Sequence, residues 1–287
     1  MTIHLQRRSV ICTPATATPK YMTSHRCGAD VGLVDLEDSV PVRYKDAARA
    51  LAEQYFSPVG GSRSVLAIRI NTPFGLEGMR DLVAVADYVH PPKVVLVPRV
   101  ESAQHVELVA AALDRDDYRP EVYAIVETPR GITQLGDILG ASRLDGIMFG
   151  AAGYAHAAGC AHRWTALLAV RSVVVTAAAS RGIPAIDTPF FDTRDLSGLA
   201  RECRSARALG FAGKMAIHPA QVPVINQAFT PTAAEIDTAR ALLAAAQDGE
   251  LEAPADVVGP TPFFETAREL LARYSAESGT AEPEERS

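Results

Sequence analysis

Eight short runs of apolar and β-branched residues recur along the chain, and amphipathic stretches separate most of them. They predict strands at residues 9–15, 30–38, 65–70, 94–100, 122–128, 145–152, 183–190 and 213–218. Runs that are apolar almost throughout are typical of parallel strands that helices cover on both faces. Eight strand–helix units therefore predict an α/β fold, the (β/α)8 or TIM barrel. A doubly wound open sheet is the alternative, although no G-x-G-x-x-G motif follows the first predicted strand.

The amphipathic stretches predict helices at residues 42–56, 76–89, 102–113, 163–180 and 196–209. The catalytic barrel domain is expected to occupy residues 8–228 of the 287-residue chain. A C-terminal helical extension is expected at residues 229–275, with its last helix at residues 263–274. We expect this extension to pack on a neighbouring subunit. Residues 276–287 are polar and predict a disordered tail.

Composition excludes several classes of protein. The net charge of -6 and the isoelectric point near 5.7 argue against a nucleic-acid groove. The four cysteines are widely scattered without a C-x-x-C pair, which predicts neither a disulfide framework nor a zinc ribbon. No apolar run is long enough to span a membrane, and the first residues lack the apolar region of a signal peptide. We therefore expect a cytoplasmic protein with no membrane partner.

Polar side chains lie where several of the predicted strands end, which is where barrels of this kind carry their active sites. Asp35, Glu37 and Asp38 end the second predicted strand, Arg69 the third and Glu127 the fifth. Carboxylates that converge on one end of a barrel suit a hard divalent cation holding an oxygen-rich substrate. The arginine offers a forked donor for a carboxylate. The alternative is that these charged residues only cap helices.

Six sequence segments match, in the same order, the motifs of one enzyme family. They are VDLEDSVPVRYKDAAR at residues 34–49, RIN at 69–71, VPRVES at 97–102, ETPRG at 127–131, FGAAGYA at 149–155 and GFAGKMAIHPAQ at 210–221. With these segments the chain resembles the citrate lyase beta-subunit family of the HpcH/HpaI aldolase superfamily. That superfamily also includes malyl-CoA, citramalyl-CoA and citryl-CoA lyases. The resemblance extends over residues 8–245 and implies a homotrimeric (β/α)8 barrel.

The resemblance also implies a reaction, a metal and a thioester partner. The reaction is the reversible cleavage of a 3-hydroxy-carboxyacyl thioester, carried by CoA or an acyl carrier, into an acyl thioester and a 2-oxo acid. Arg69 would bind the carboxylate of the 2-oxo acid and polarise its carbonyl group. Glu127 would bind Mg²⁺, and Glu37 and Asp38 would order the waters of the metal. The metal and the arginine would together stabilise the developing oxyanion.

The last motif of the resemblance implies an access path for the thioester. Lys214, Ile217, His218 and Pro219 would line this path. The chain has only four lysines, and Lys214 is the only one at a predicted strand end. A Schiff-base aldolase that uses Lys214 is therefore an alternative, since such enzymes need a desolvated amine.

The chain departs from the family pattern at two places. The family motif after strand six is G-x-x-D, whose aspartate is the second protein ligand of the metal, and here Gly153 takes that position. Mg²⁺ would then bind more weakly, through Glu127, waters and substrate oxygens. The C-terminal family motif M-I-D-x-P is matched by residues 258–262, with Pro260 at the aspartate position. Asp256 is the nearest carboxylate that would replace this aspartate.

Two further alternatives follow from the region around Gly153. His156, Cys160 and His162 form an H-x3-C-x-H pattern, which would provide a replacement zinc site or belong to an ordinary polar loop. The missing aspartate also allows a degenerate barrel that binds a thioester and has weak or no lyase activity.

Overall fold

The computed structural model describes residues 7–60, 64–247 and 261–278, in which eight parallel strands close into a barrel in chain order. The strands are β1 Ser9–Pro14, β2 Val31–Asp35, β3 Val65–Arg69, β4 Val94–Val97, β5 Glu121–Val126, β6 Leu144–Phe149, β7 Ala185–Asp187 and β8 Gly213–Ala216. The first strand pairs with both β2 and β8, so the sheet has no edge. The predicted (β/α)8 barrel is confirmed, and the open sheet is wrong.

Helices connect the strands and cover the barrel. They are α1 Tyr21–Arg26, α2 Lys45–Tyr55, α3 Leu76–Asp87, α4 Ala103–Leu113, α5 Pro129–Thr133, α6 Leu135–Ile138, α7 Ala151–Ala158, α8 Trp164–Ser180, α9 Leu196–Leu209, α10 Gln221–Phe229, α11 Ala233–Gln247 and α12 Thr261–Ser278. The five helices predicted between strands correspond to α2, α3, α4, α8 and α9. Among the described residues, no helix combines the length and the apolar character that a membrane crossing needs.

Alternation along each strand divides the apolar residues into two layers. One layer fills the inside of the barrel, with Leu33, Leu96 and Ile125 among its members, and the other packs between the strands and the helices. Near the amino ends of the strands, the guanidinium of Arg7 donates a 2.9 Å hydrogen bond to the hydroxyl of Tyr123. The interior is therefore packed with side chains, and polar groups gather above it, at the carboxyl ends of the strands.

Residues Arg7–Phe229 form one compact unit, and a second unit contains α11 and α12. The first turn of α11 has a capping box. The side chain of Glu235 accepts a hydrogen bond from the backbone N–H of Thr232, and the backbone N–H of Glu235 donates one to the Thr232 hydroxyl. The last helix runs to Ser278, so the predicted tail is helical at residues 276–278. Residues 279–287, together with Asp256 and residues 258–260, lie outside the described residues.

Candidate active site

The site is built around an ion pair between β2 and β3. Arg69 donates to both carboxylate oxygens of Asp35, with 2.6 Å from Nε to Oδ1 and 2.7 Å from Nη2 to Oδ2. Asp35 also accepts hydrogen bonds from the backbone N–H groups of Glu37 and Ser39. Burial raises the pKa of Asp35, but Arg69 and the hydrogen bonds outweigh burial and lower it below its usual value. Asp35 is therefore an ionised partner that fixes the guanidinium.

This pairing limits what Arg69 offers to a substrate. Its remaining nitrogen, Nη1, lies 3.3 Å from Glu37 Oε2 and 3.8 Å from Asp38 Oδ2. Although burial lowers the pKa of Arg69, Asp35 raises it well above its usual value, so the group stays cationic. Asp35 occupies the Nε–Nη2 edge of the guanidinium, so the predicted binding of a substrate carboxylate by Arg69 would have to use the remaining donors, and it stays a prediction. Nη1 is the one nitrogen of this guanidinium that does not bind Asp35.

Glu37 lies beside Arg69, in surroundings that disfavour its ionised form. Its side chain is buried, and Oε2 accepts no hydrogen bond within the described part of the chain. Burial is the largest cause that raises the pKa of Glu37 to about 8; Arg69 opposes the rise, and Asp38 and Glu127 add to it. Sequence therefore predicted a real cluster: Glu37, Asp38 and Arg69 meet, and Glu127 is close enough to affect Glu37.

Lys45 of α2 stabilises the loop that carries Glu37. The ammonium of Lys45 donates to the backbone carbonyls of Leu36 and Glu37, at 2.5 and 2.6 Å, and to Asn71 Oδ1 at 2.7 Å. Asn71 in turn donates to Leu36 O and to the buried carboxylate of Asp81. The lysine of the first motif and the asparagine of RIN thus support the site without facing it.

Glu127 follows β5 and is buried, and its two oxygens have different surroundings. Oε1 accepts a 3.0 Å hydrogen bond from the backbone N–H of Arg99. Oε2 lies towards Gly153, since a Cβ atom built on that glycine would be 2.8 Å from it. Burial raises the pKa of Glu127, and Arg69 and the Arg99 hydrogen bond act against this. Oε2 is the oxygen that a cation would reach.

The described residues contain no group of three histidine, cysteine, aspartate or glutamate side chains that could enclose a metal. The zinc alternative is therefore wrong, and His156, Cys160 and His162 are all exposed. A cation that keeps most of its waters needs only one or two carboxylates. Glu127, with Glu37 nearby, fits such a cation better than a fully protein-bound metal.

Lys214 does not reach the mouth of the barrel. Its neighbour Met215 faces the barrel interior, so Lys214 faces outward, where it is completely buried against α9. Its ammonium donates to Asp187 at 2.6 Å and to Glu202 at 2.7 Å, and Arg171 also pairs with Asp187. Burial lowers the pKa of Lys214, but the two carboxylates outweigh this and raise it. Both predicted roles of Lys214, in the thioester path and in a Schiff base, are wrong.

The other residues of the predicted thioester path follow β8, at the same end of the barrel as Glu127 and Arg69. Ile217 and His218 are exposed, and Pro219 is half-buried. Gln221 accepts hydrogen bonds from the backbone of Ile217 at 2.9 Å and of His218 at 3.2 Å, which shapes the turn into α10. Their contact with a thioester stays a prediction.

Sequence reasoning missed two contributors to the site. Asp35 was noted only as one of three clustered carboxylates, although it alone fixes Arg69. Arg99 was noted only as part of VPRVES, yet it is the only non-glycine with a left-handed backbone among the described residues, at φ 52°. Its presence in a matched motif was the only available signal, because an arginine in the sequence does not indicate a left-handed backbone as a glycine can.

Comparison with known proteins shows the family to which the chain belongs. The model of the HpcH/HpaI aldolase/citrate lyase family matches residues 8–219, and a model described as a C–C bond lyase of the TIM-barrel fold matches residues 169–276. The chain is 30% identical over 278 residues to the (3S)-malyl-CoA thioesterase of Cereibacter sphaeroides, covering 94% of this chain and 95% of the relative. It is 31% identical over 280 residues to the citrate lyase subunit beta of Escherichia coli, covering 93% of each.

A solved structure of the protein CitE from Mycobacterium tuberculosis, in complex with magnesium, acetoacetate and coenzyme A, is also similar. The identity is 30%, the TM-score is 0.79, and the match covers 93% of this chain and 98% of that chain. The similarity therefore includes the barrel and much of the sequence that follows it.

The buried Glu37 predicts a pH-dependent loss of stability. Its pKa is raised from 4.5 to about 8, so the unfolded chain ionises this group first, and stability falls as pH rises between these values. Glutamine cannot ionise. Between about pH 5 and about pH 9, the free energy of unfolding of Glu37→Gln should therefore fall by a few kcal/mol less than that of wild type. Urea unfolding with a chelator measures this. Asp116→Asn, at an exposed carboxylate, should behave like wild type, and an unchanged slope in Glu37→Gln would contradict the assignment.

The buried network around Lys214 predicts a structural role. Lys214→Met removes a cation from the buried carboxylate of Asp187 and the half-buried carboxylate of Glu202, and it should destabilise the fold by about 3–5 kcal/mol. Lys93→Met, at an exposed lysine, should change stability by less than about 0.5 kcal/mol. Wild-type protein treated with a 2-oxo acid and borohydride should form no covalent adduct in mass spectrometry. An adduct that disappears in Lys214→Met would restore the Schiff-base reading.

Proposed function

Because the chain belongs to the HpcH/HpaI aldolase/citrate lyase family, we propose that it is a Mg²⁺-dependent carbon–carbon lyase acting on an acyl-CoA. Its substrate would be a 3-hydroxy-carboxyacyl-CoA related to citramalyl-, malyl- or citryl-CoA, and its products an acyl-CoA and a 2-oxo acid. The observation that carries the proposal is the meeting of Arg69, Glu37, Asp38 and Glu127 at the carboxyl end of the barrel.

The chemistry requires a proton acceptor and a place for negative charge. The substrate hydroxyl loses its proton, the bond between the hydroxyl carbon and the carbon next to the thioester breaks, and the electron pair of that bond forms an enolate. A proton then converts the enolate into the acyl-CoA. Glu37 and Asp38 lie beside Arg69, where a carboxylate would accept the hydroxyl proton. Arg69 Nη1 would donate a hydrogen bond to the oxygen that becomes the carbonyl of the 2-oxo acid.

The residues of the site fit a hydrated magnesium ion. Glu37 and Asp38 lie beside Arg69 Nη1, Glu127 is close enough to raise the pKa of Glu37, and Glu37 Oε2 has no hydrogen bond among the described residues. Mg²⁺, when bound, would supply Lewis-acid stabilisation of the charged oxygen. Glu127 would hold it, and Glu37 and Asp38 would orient its waters. The magnesium and coenzyme A in the similar CitE structure support this part of the proposal.

The remaining features of the proposal rest on the family. CoA would approach along Ile217, His218 and Pro219, which lie at the correct end of the barrel. A homotrimer and a cytoplasmic location stay predictions. CoA and an acyl carrier differ only beyond the shared pantetheine arm, and the coenzyme A in the CitE structure favours CoA.

A second candidate, a degenerate barrel that binds a thioester without efficient cleavage, is favoured by Gly153. The glycine removes one carboxylate from the position where the family places a metal ligand. The malyl-CoA thioesterase relative adds hydrolysis of the thioester as a further outcome that an assay must separate.

A panel of malyl-, citramalyl-, methylmalyl- and citryl-CoA tests the lyase. At least one should release a 2-oxo acid, measured with a coupled dehydrogenase, and should do so only with Mg²⁺. Glu127→Gln should lower turnover by about 10²–10³-fold, while Asp116→Asn should keep it. Release of free thiol without 2-oxo acid would indicate a thioesterase and contradict the lyase. Tight binding of CoA without either product would favour the degenerate barrel.

Because Gly153 has no carboxylate, a substitution that introduces one there should increase the affinity for Mg²⁺. Gly153→Asp should tighten Mg²⁺ binding by about tenfold or more in calorimetry, since it adds a second carboxylate ligand. Gly153→Asn, which brings the same bulk against Glu127 without the charge, should not. Equal Mg²⁺ affinity of wild type and Gly153→Asp would contradict the idea that Gly153 weakens the metal site.

A further inference from the structure

A lyase that releases a 2-oxo acid must hold the carboxylate of that acid, and Asp35 already occupies one edge of the Arg69 guanidinium. Its Nε and Nη2 are bound to Asp35, and Nη1 faces Glu37 and Asp38. A carboxylate is recognised best by two parallel N–H donors of one guanidinium. A second guanidinium at the mouth of the barrel would add a pair of donors that no carboxylate among the described residues occupies.

Arg99 lies at the right position in the barrel. It comes two residues after β4, and β4 pairs with β3 on one side and β5 on the other. Those two strands carry Arg69 and Glu127 at their carboxyl ends. The order of the strands thus places Arg99 between the two residues on which the proposed chemistry depends.

The backbone of Arg99 is held in a rare conformation by its surroundings. Its φ of 52° is in the left-handed region, which arginine seldom adopts. Its N–H donates a 3.0 Å hydrogen bond to Glu127 Oε1, which ties this backbone to the site. Strained residues of this kind concentrate in functional sites, where the surrounding structure maintains them.

The side chain of Arg99 is exposed and makes no ion pair with any residue that the structure describes. The nearest acid along the chain, Glu101, is already engaged: it accepts a 2.7 Å hydrogen bond from Thr128 and lies 3.6 Å from Arg130. Arg99 does act on the site, because its charge lowers the pKa of Glu127. Arg99 is therefore an exposed cation close enough to act on Glu127, and its guanidinium makes no ion pair within the described part of the chain.

We propose that the Arg99 guanidinium binds the carboxylate of the 2-oxo acid, while its backbone N–H fixes Glu127 in the same site. This assignment rests on the proposed lyase function and adds the group that recognises the acid. Arg69 would then act on the reacting oxygen, and Arg99 on the carboxylate. The two roles that the sequence assigned to Arg69 alone would then be divided between Arg69 and Arg99.

Direct binding of 2-oxo acids tests the assignment without turnover. Pyruvate and glyoxylate, with Mg²⁺ present, are titrated into wild type, Arg99→Asn and Arg99→Lys in a calorimeter, and CoA is titrated separately. Asparagine tolerates the left-handed backbone, so Arg99→Asn removes the guanidinium with little change to the loop. Its Kd for the acid should rise by about tenfold to a hundredfold, with CoA affinity unchanged. Arg99→Lys, which keeps a point charge, should give an intermediate Kd.

The control is Arg119→Asn, at an exposed arginine before β5, near the opposite end of the barrel, with the same change of net charge. It should keep the wild-type Kd, and thermal unfolding should show that each variant is folded. An unchanged Kd for the acid in Arg99→Asn would overturn the role of Arg99. So would a loss confined to CoA, which would assign the guanidinium to the phosphates of the cofactor. Wild type that binds neither acid would instead overturn the proposed function.

Discussion

The forked ion pair between Asp35 and Arg69 determines the organisation of the site. It joins the carboxyl ends of β2 and β3 across the mouth of the barrel, with the carboxylate completely buried. Removing one partner of such a pair leaves an unpaired buried charge, which costs about 3–5 kcal/mol. The pair therefore fixes the direction in which Nη1 points, and this nitrogen is the part of Arg69 that meets Glu37 and Asp38. Lys45 and Asn71 extend the same support to the loop that carries Glu37.

Once Arg69 is paired, the mouth contains more negative than positive charge. Glu37 and Glu127 are buried, burial raises the pKa of both, and Glu127 adds to the rise at Glu37. Such a cluster is unfavourable for a protein alone, but it is the environment that attracts a cation or a cationic side chain. This is why the same residues support both the magnesium proposal and the assignment of Arg99, whose charge acts on Glu127.

The strands could be read from the sequence because their apolar runs are long, whereas the direction of individual side chains at their ends could not. Residues 94–100 were predicted as one strand, but β4 ends at Val97, because Pro98 has no N–H and Arg99 turns left-handed. Lys214 was assigned to the mouth from its position near a strand end. The interior position of Met215 reverses that assignment, because neighbouring residues of a strand face opposite ways. The position of Glu127 at the end of the barrel could be read from the sequence, because it directly follows a buried strand, and its role as a metal ligand stays a prediction.

The effect of Gly153 goes beyond the loss of a ligand. Glu127 packs so closely against the start of α7 that a Cβ on Gly150 would lie 2.4 Å from the Cβ of Glu127, and one on Gly153 would lie 2.8 Å from Oε2. The absence of side chains at the two glycines thus leaves space for the Glu127 side chain. Its Oε2 occupies the space that a carboxylate at residue 153 would need. A second acid there would require Oε2 to move while the Arg99 N–H retains Oε1. Both oxygens belong to one rigid carboxylate, so this movement needs several side-chain torsions of Glu127 to change together.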